Sequence, residues 1–184
     1  DGRAFAMSAQ DTHRAISQIK RHARVPIWAK LTPNVTDIAE IARAAEDAGA
    51  DALVVANTFL GMAIDTETRK PKLGNVMGGL SGPAIRPLVV RMVFQCARAV
   101  RIPVIGCGGI MTAEDAVEHL IAGAAAVQVG TASFLDPAAM VRIIDGLAAY
   151  CERHGIARIA ELSGAVRIDA GLTDRWLRLV QQSG

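Results

Sequence analysis

Four short apolar segments, each followed by a helix-like stretch, constrain the fold of this 184-residue chain more than any other feature. They are rich in Val, Ile, Leu and Ala and lack polar alternation, which is typical of strands covered on both faces. Strands that alternate with helices predict parallel βαβ units with right-handed crossovers. The four predicted strands are residues 25–31, 52–56, 103–105 and 125–129.

Helical periodicity and capping residues predict the connecting elements. A polar helix is expected over 9–22, and a second helix carries apolar positions at helical spacing and ends at Gly49. Residues 59–82 show no periodicity and contain five glycines, so a long loop is predicted. The remaining helices are expected from Pro83 to about Val100, after a Thr112 cap with Asp115, from Asp136-Pro137 to about His154, and as a short stretch near 157–166.

Two glycine-rich turns directly follow the last two predicted strands. They are Gly106-Cys107-Gly108-Gly109 and Gly130-Thr131. Glycine adopts positive φ and lets backbone N–H groups approach an anion, and loops after the last two strands of a (β/α)8 barrel commonly bind phosphate. The pair therefore predicts one phosphate cradle, although tight strand-to-helix turns would look the same. Met111 stands where the final glycine of a dinucleotide fingerprint would fall, so a Rossmann fold is weakly supported.

The strand count bears on domain organisation. A closed barrel of this class has eight strands and about 250 residues, whereas this chain of 184 residues shows four predicted strands and begins at Asp1. We expect an α/β fold that is the C-terminal half of a (β/α)8 TIM barrel, with residues 1–184 as the C-terminal part of a single domain whose N-terminal strands are absent. A small open doubly wound sheet is the alternative.

Composition excludes several functional classes. The formal net charge is +2 with interspersed charges, and aromatic residues are sparse, so no nucleic-acid interface is predicted. No segment resembles a membrane span. Three cysteines lie far apart without metal or redox spacing, so we expect reduced thiols, no metal site and a cytoplasmic location.

Polar side chains follow the first two predicted strands. Lys30 lies near the end of its strand, where barrel enzymes place their chemistry, although it could simply reach solvent. Asn57 and Thr58 follow the next strand and could bind a planar ligand, or could form a turn. Ser81 lacks nucleophile-elbow spacing. Four histidines lie on predicted helices among polar neighbours and are expected to be solvated: His13, His22, His119 and His154.

Five blocks, in this order, resemble the C-terminal half of class 1 dihydroorotate dehydrogenases, most closely the NAD-linked class 1B catalytic subunit. The resemblance runs from about Val25 to Val166. Dihydropyrimidine dehydrogenase shares the lysine block and the Asn-Thr pair and is the nearest rival. The blocks are residues 29–37 (AKLTPNVTD), 56–58 (ANT), 78–85 (GGLSGPAI), 106–110 (GCGGI) and 129–132 (VGTA).

The resemblance implies an FMN-dependent oxidation of dihydroorotate to orotate in de novo pyrimidine biosynthesis. It places Lys30 beside the flavin ring, Ala56 and Gly82 against the flavin, and Asn57 and Thr58 on the pyrimidine. It also implies a homodimer and an electron-transfer subunit carrying FAD and an iron–sulfur cluster. The phosphate of FMN would lie on the N–H groups of Gly108, Gly109, Gly130 and Thr131.

The resemblance assigns the proton-abstracting base to a cysteine in a loop just upstream of Asp1, so no catalytic residue is expected in this chain. The sequence also has Ala6-Met7-Ser8 where the family usually has a glycine after Ala4-Phe5. Two other hypotheses stay open: a non-redox barrel acting on a sugar phosphate, and a non-catalytic binding fragment. None of the three cysteines lies in the block that matches the base: Cys96, Cys107 and Cys151.

Overall fold

The computed structural model describes residues 5–169 and 171–172 and contains a four-stranded parallel sheet. Counted along the chain, the first, second, fifth and sixth strands lie side by side in this sheet, with Val54 opposite Ile105 and Gly106 opposite Val127. The third and fourth strands form a separate antiparallel pair. The strands are β1 (Trp28–Lys30), β2 (Ala52–Val55), β3 (Phe59–Met62), β4 (Met77–Leu80), β5 (Val104–Cys107) and β6 (Ala126–Gln128).

Helices connect the parallel strands, as predicted. Neighbouring helices pack against one another in the order α1, α2, α3, α4 and α6. Short 3-10 helices lie at Phe5–Met7, Pro83–Ile85 and Ile159–Leu162. The α-helices are α1 (Ala9–Lys20), α2 (Ile38–Asp47), α3 (Arg86–Ala99), α4 (Ala113–Ala122), α5 (Ala132–Leu135) and α6 (Ala139–His154).

Local caps explain the helix boundaries. Asp37 accepts a hydrogen bond from the Ala39 N–H at the start of α2, and Gly49 follows the last turn of that helix with a positive φ. At the start of α4, the predicted Thr112 and Asp115 form a reciprocal capping box. None of the described helices is long and apolar enough to cross a bilayer.

The two central strands are buried as their apolar runs predicted, whereas β1 and β6 are partly exposed. Leu53 and Val55 of β2 pack with α3 residues such as Val89 in the main core, whereas Val54 packs with Ile105 in a second cluster. Alternate residues of a strand point to opposite faces, so β2 contributes to both clusters and all four of its residues are buried. This arrangement fits one half of a barrel.

The prediction that residues 25–31 form a buried strand was wrong at its N-terminal end. Only Trp28–Lys30 is a strand, while Val25 and Trp28 are exposed. Among the described residues, β1 pairs with β2 alone, so it is an edge strand of this sheet. Apolar composition identified the segment as a strand, but it could not show that one edge and one face of β1 have no neighbour among the described residues.

The loop predicted over 59–82 was also wrong, because its two ends pair as the β3–β4 hairpin. Leu60 lies opposite Gly79 and Gly61 opposite Gly78. The glycines of β4 weaken the strand pattern in the sequence. In the fold, glycine at position 79 avoids a steric clash, since a Cβ there would overlap the Thr58 side chain.

Candidate functional site

A cavity of about 260 Å³ lies at the carboxyl ends of the parallel strands. Residues at or just after the ends of β1, β2, β5 and β6 all contribute to it. This is the end at which barrel enzymes carry their active sites. The lining residues are Lys30, Ala56, Asn57, Thr58, Ser81, Ile85, Cys107, Gly108, Gly109, Ile110, Gln128, Gly130, Thr131 and Phe134.

Lys30 is the last residue of β1 and projects from the strand end into this cavity. Its neighbour Ala29 is buried and in register with Leu53 of β2, which fixes the strand end. Among the described residues that line the cavity, Lys30 alone carries a charge. Because no ion pair within the described chain neutralises it, the cavity favours an anionic ligand.

Asn57 and Thr58 follow β2, directly after the cis peptide bond between Val55 and Ala56. The Asn57 backbone N–H donates to Leu31 O at 2.8 Å, and its side-chain Oδ1 accepts from the Thr58 N–H at 3.0 Å. The Asn57 amide NH₂ therefore stays available for a ligand. Both residues are exposed at the cavity and could bind the polar edge of a planar molecule.

Asn34 holds this strand end in place, although sequence reasoning did not single it out. Its amide donates to Thr32 Oγ1 at 3.1 Å and to the Thr58 carbonyl at 3.2 Å. Its Oδ1 accepts from the Leu60 N–H at 2.9 Å. Asn34 thus ties the loop after β1 to the start of the β3–β4 hairpin.

The first glycine turn lies over the start of α3. Gly108 and Gly109 have φ angles of 141° and 78°, which side-chain-bearing residues rarely adopt. A Cβ on Gly109 would lie 2.5 to 2.7 Å from Cβ and backbone atoms of Arg86. The turn therefore needs glycine for both its conformation and its packing.

At the second turn, neither the backbone conformation nor the packing requires glycine. A Cβ on Gly130 would meet no heavy atom within 4 Å, so it would project into open space beside the cavity. Thr131 donates from Oγ1 to Ser81 Oγ at 2.9 Å, which joins this turn to the segment after β4. Within the described part of the chain, the backbone N–H groups of Gly109, Gly130 and Thr131 have no acceptor.

The cavity therefore brings together eight of the nine predicted site residues: Lys30, Ala56, Asn57, Thr58, Gly108, Gly109, Gly130 and Thr131. Gly82 is buried beside it, where a Cβ would lie 3.6 Å from Thr131 Cγ2. Sequence reasoning did not predict the six other lining residues, although four of them lie within the matched blocks: Ser81, Ile85, Cys107 and Ile110, and in addition Gln128 and Phe134.

The prediction that all four histidines are solvated was wrong for His119. This side chain is 0% exposed, and its Nε2 lies 3.1 Å from the Gly108 carbonyl oxygen. Polar neighbours in sequence suggested exposure, but His119 lies on the face of α4 that packs beneath the first glycine turn. The other three are exposed, as predicted: His13, His22 and His154.

Burial lowers the pKa of His119 to about 4, the positive charge of Arg86 contributes in the same direction, and the hydrogen bond to Gly108 opposes the shift. Between pH 6.5 and 4 the unfolded chain binds a proton that the native chain does not. Stability should therefore fall as the pH falls, by about 2 kcal/mol between pH 6.5 and 4.5 from this group.

Urea unfolding at several pH values checks this prediction. His119→Phe removes the titrating group, so its free energy of unfolding should depend less on pH over the same range. Parallel pH profiles for the two proteins would contradict it.

The cysteines and acidic residues offer no alternative chemistry among the described residues. Cys96 is fully buried, and burial raises the pKa of its thiol to about 12, so it is a poor nucleophile or base. Cys107 is partly buried at the end of β5. Within the described part of the chain, no cluster of three or more His, Cys, Asp or Glu could hold a metal ion.

Comparison with known proteins identifies the family. The family model for dihydroorotate dehydrogenase matches residues 1–150. The catalytic subunit of dihydroorotate dehydrogenase B (NAD(+)) from Bacteroides thetaiotaomicron is 50% identical over 167 residues, covering 91% of this chain and 55% of the relative. The subunit of the same name from Geotalea uraniireducens is 52% identical over 165 residues, covering 90% and 54%. The chain thus spans about half the length of these curated relatives.

A solved structure supports the fold. The crystal structure of DHODH from Eimeria tenella in complex with ferulenol matches with a TM-score of 0.71 at 24% identity, over 86% of this chain and 48% of that one. This likeness confirms the half-barrel architecture. The family model and the relatives near 50% identity show that the chain belongs to the dihydroorotate dehydrogenase family of flavin-dependent oxidoreductases.

Proposed function

We propose that residues 1–184 form the C-terminal part of a single TIM-barrel domain that binds FMN and oxidises dihydroorotate to orotate in pyrimidine biosynthesis. One observation carries the proposal: a single cavity combines Lys30 with the free N–H groups of two glycine turns. Relatives near 50% identity are named as NAD(+)-linked dihydroorotate dehydrogenase catalytic subunits, which supports it. The remaining strands of the barrel would come from sequence upstream of Asp1.

The residues at the glycine turns fit a phosphate group. Three N–H groups without acceptors lie at the turns after β5 and β6, and Gly130 leaves open the space that a Cβ would fill. No acidic side chain is among the described lining residues, so no charge repels an anion there. The phosphate of FMN would be held by Gly108, Gly109, Gly130 and Thr131.

The residues at the carboxyl ends of β1 and β2 fit the flavin ring and the substrate. The ammonium group of Lys30 would face the flavin ring and stabilise the negative charge that develops there. Ala56 and Gly82 are small enough to permit close approach of the ring. Asn57 and Thr58 would hydrogen-bond the pyrimidine. Bound FMN supplies the acceptor for a hydride from the substrate.

Removal of the substrate proton is assigned to a cysteine in the loop upstream of Asp1. Cys96 is too deeply buried to take this part, and Cys107 belongs to the first glycine turn. The chain would thus hold the cofactor and orient the substrate, while the base comes from the other half of the barrel.

The proposal includes protein partners, and a second subunit is supported by the name of the relatives, which are catalytic subunits linked to NAD(+). Electrons would pass to a subunit that carries FAD and an iron–sulfur cluster, and the catalytic subunit would form a homodimer. The three free thiols fit a reducing compartment, so a cytoplasmic location is part of the proposal.

Gly130→Val tests the phosphate site in the full-length protein that contains this segment. No heavy atom lies within 4 Å of a Cβ added at Gly130, so the fold should persist, and the new side chain would reduce the space beside the cavity that Gly130 lines. We expect FMN to bind at least about tenfold more weakly, because an imperfectly paired phosphate loses charge-assisted hydrogen bonds. Equilibrium titration of the apoprotein, monitored by flavin fluorescence, measures the change.

Gly74→Val is the matched control. Gly74 also has no heavy atom within 4 Å of an added Cβ, but it lies between β3 and β4 and does not line the cavity. FMN affinity should stay at the level of the unsubstituted protein. Equal FMN affinity for both variants would show that the phosphate does not lie at Gly130.

A further inference from the structure

His119 is a buried polar residue that the chemistry described so far does not use. Its Nε2 lies 3.1 Å from the Gly108 carbonyl oxygen, and its Nδ1 has no partner within the described part of the chain. Because a carbonyl only accepts, Nε2 must carry the proton, and Nδ1 is an unpaired acceptor. A buried acceptor without a donor is costly, and an apolar side chain at this position would carry no such acceptor. The hydrogen bond to Gly108 is what distinguishes His119 from such a side chain.

The imidazole ring is lodged directly against the backbone that leads into the first glycine turn. A Cβ on Gly106 would lie 2.5 Å from His119 Nδ1, so the ring occupies the space next to that glycine. The same ring reaches the Gly108 carbonyl through its other nitrogen. His119 therefore contacts the turn at two places, from the side of α4.

The orientation of the Gly108–Gly109 peptide follows from this contact. The only cis peptide bond in the described chain is Val55–Ala56, so this peptide is trans, with its C=O and N–H pointing in opposite directions. Since the carbonyl points toward His119, the Gly109 N–H points away from it. Gly109 lines the cavity, His119 does not, and the Gly109 N–H has no acceptor within the described residues.

We propose that His119 is a positioning residue for anion binding, because its hydrogen bond to the Gly108 carbonyl turns the Gly109 N–H toward the phosphate in the cavity. This inference rests on the proposed FMN site and adds a residue that does not touch the ligand. Without the His119 donor, the peptide can rotate, since glycines at 108 and 109 permit many φ values. Loss of the His119 donor should therefore weaken the binding of the phosphate group and leave the binding of the flavin ring unchanged.

A comparison of FMN with riboflavin, which lacks the phosphate, tests this role in the full-length apoprotein. His119→Phe keeps an aromatic ring of similar size and removes the donor. This variant should weaken FMN binding about tenfold, which is the size expected when one hydrogen bond to a charged group is lost, here from the Gly109 N–H to the phosphate. Riboflavin binding should stay unchanged. His119→Gln restores an N–H donor and should recover most of the FMN affinity. The exposed His154→Phe is the control and should change neither affinity.

Each other outcome overturns the inference. FMN binding by His119→Phe at the level of the unsubstituted protein, or an equal loss of FMN and riboflavin affinity, would show a merely structural residue. Equal binding of FMN and riboflavin by the unsubstituted protein would instead overturn the proposed phosphate site, and the role of His119 with it. If the phenylalanine variant does not fold, His119→Met removes the donor in a flexible side chain, and the same ratio of affinities decides.

Discussion

Lys30→Ala should slow the reduction of bound flavin by dihydroorotate about a hundredfold, while the protein keeps its fold. Lys30 is exposed at the end of β1 and has no ion-pair partner within the described chain, so its removal breaks no ion pair there. Its charge would face the negative charge that develops on the flavin. Loss of one such preorganised electrostatic contact costs about 3 kcal/mol in the transition state.

Stopped-flow absorbance of the full-length protein measures this reductive half-reaction. Lys70→Ala removes an exposed lysine of the β3–β4 hairpin that does not line the cavity, so its rate should be unchanged. Dihydrouracil, which lacks the carboxylate of dihydroorotate, should reduce the flavin poorly in every variant. An unchanged rate for Lys30→Ala would refute the electrostatic role, and rapid turnover of dihydrouracil alone would favour the dihydropyrimidine dehydrogenase family.

The elements that the sequence predicted well are those in which local chemistry and tertiary packing agree. Residues 52–56 form a continuous apolar run, and β2 is buried on both faces because it lies inside the sheet. Thr112 and Asp115 specify the start of α4 through a capping box that needs no distant partner. In such segments, a few neighbouring residues are enough to determine the local structure.

The errors arose where a distant part of the chain decides the outcome. Gly78 and Gly79 have low strand propensity, and only their pairing with β3 makes them a strand. His119 has polar neighbours in sequence, but the turn after β5 covers it in the fold. Val25 has strand-like composition but lies before β1, and Trp28 is exposed within β1, an edge strand of the described sheet.

The candidate site was largely predictable because parallel strands bring their carboxyl ends together. Lys30, Asn57 and the two glycine turns each follow a recognisable strand, so the topology alone places them around one cavity. Asn34 and Ser81 were not predicted as site residues, since their hydrogen bonds join segments whose proximity appears only in three dimensions.

Asp115→Ala should lower the free energy of unfolding by about 3 kcal/mol, as expected when a buried, paired carboxylate that also caps a helix is removed. The Asp115 carboxylate is 8% exposed and forms an ion pair with Arg86 at the start of α3. It also accepts from the Met111 N–H at 2.8 Å and the Thr112 N–H at 3.0 Å. Its loss leaves those donors unpaired and removes an ion pair between α4 and α3, although Arg86 also pairs with Glu118 at 3.1 Å.

Asp136→Ala is a close control, because Asp136 also accepts a backbone N–H near a helix start and pairs with an arginine. Its Oδ1 accepts from the Ala138 N–H at 3.0 Å, but its partner Arg142 is 72% exposed. An exposed pair contributes little, so this variant should lose about 1 kcal/mol or less. Urea unfolding followed by circular dichroism compares the two variants. Equal losses would show that burial of the Asp115–Arg86 pair adds nothing to the stability of the fold.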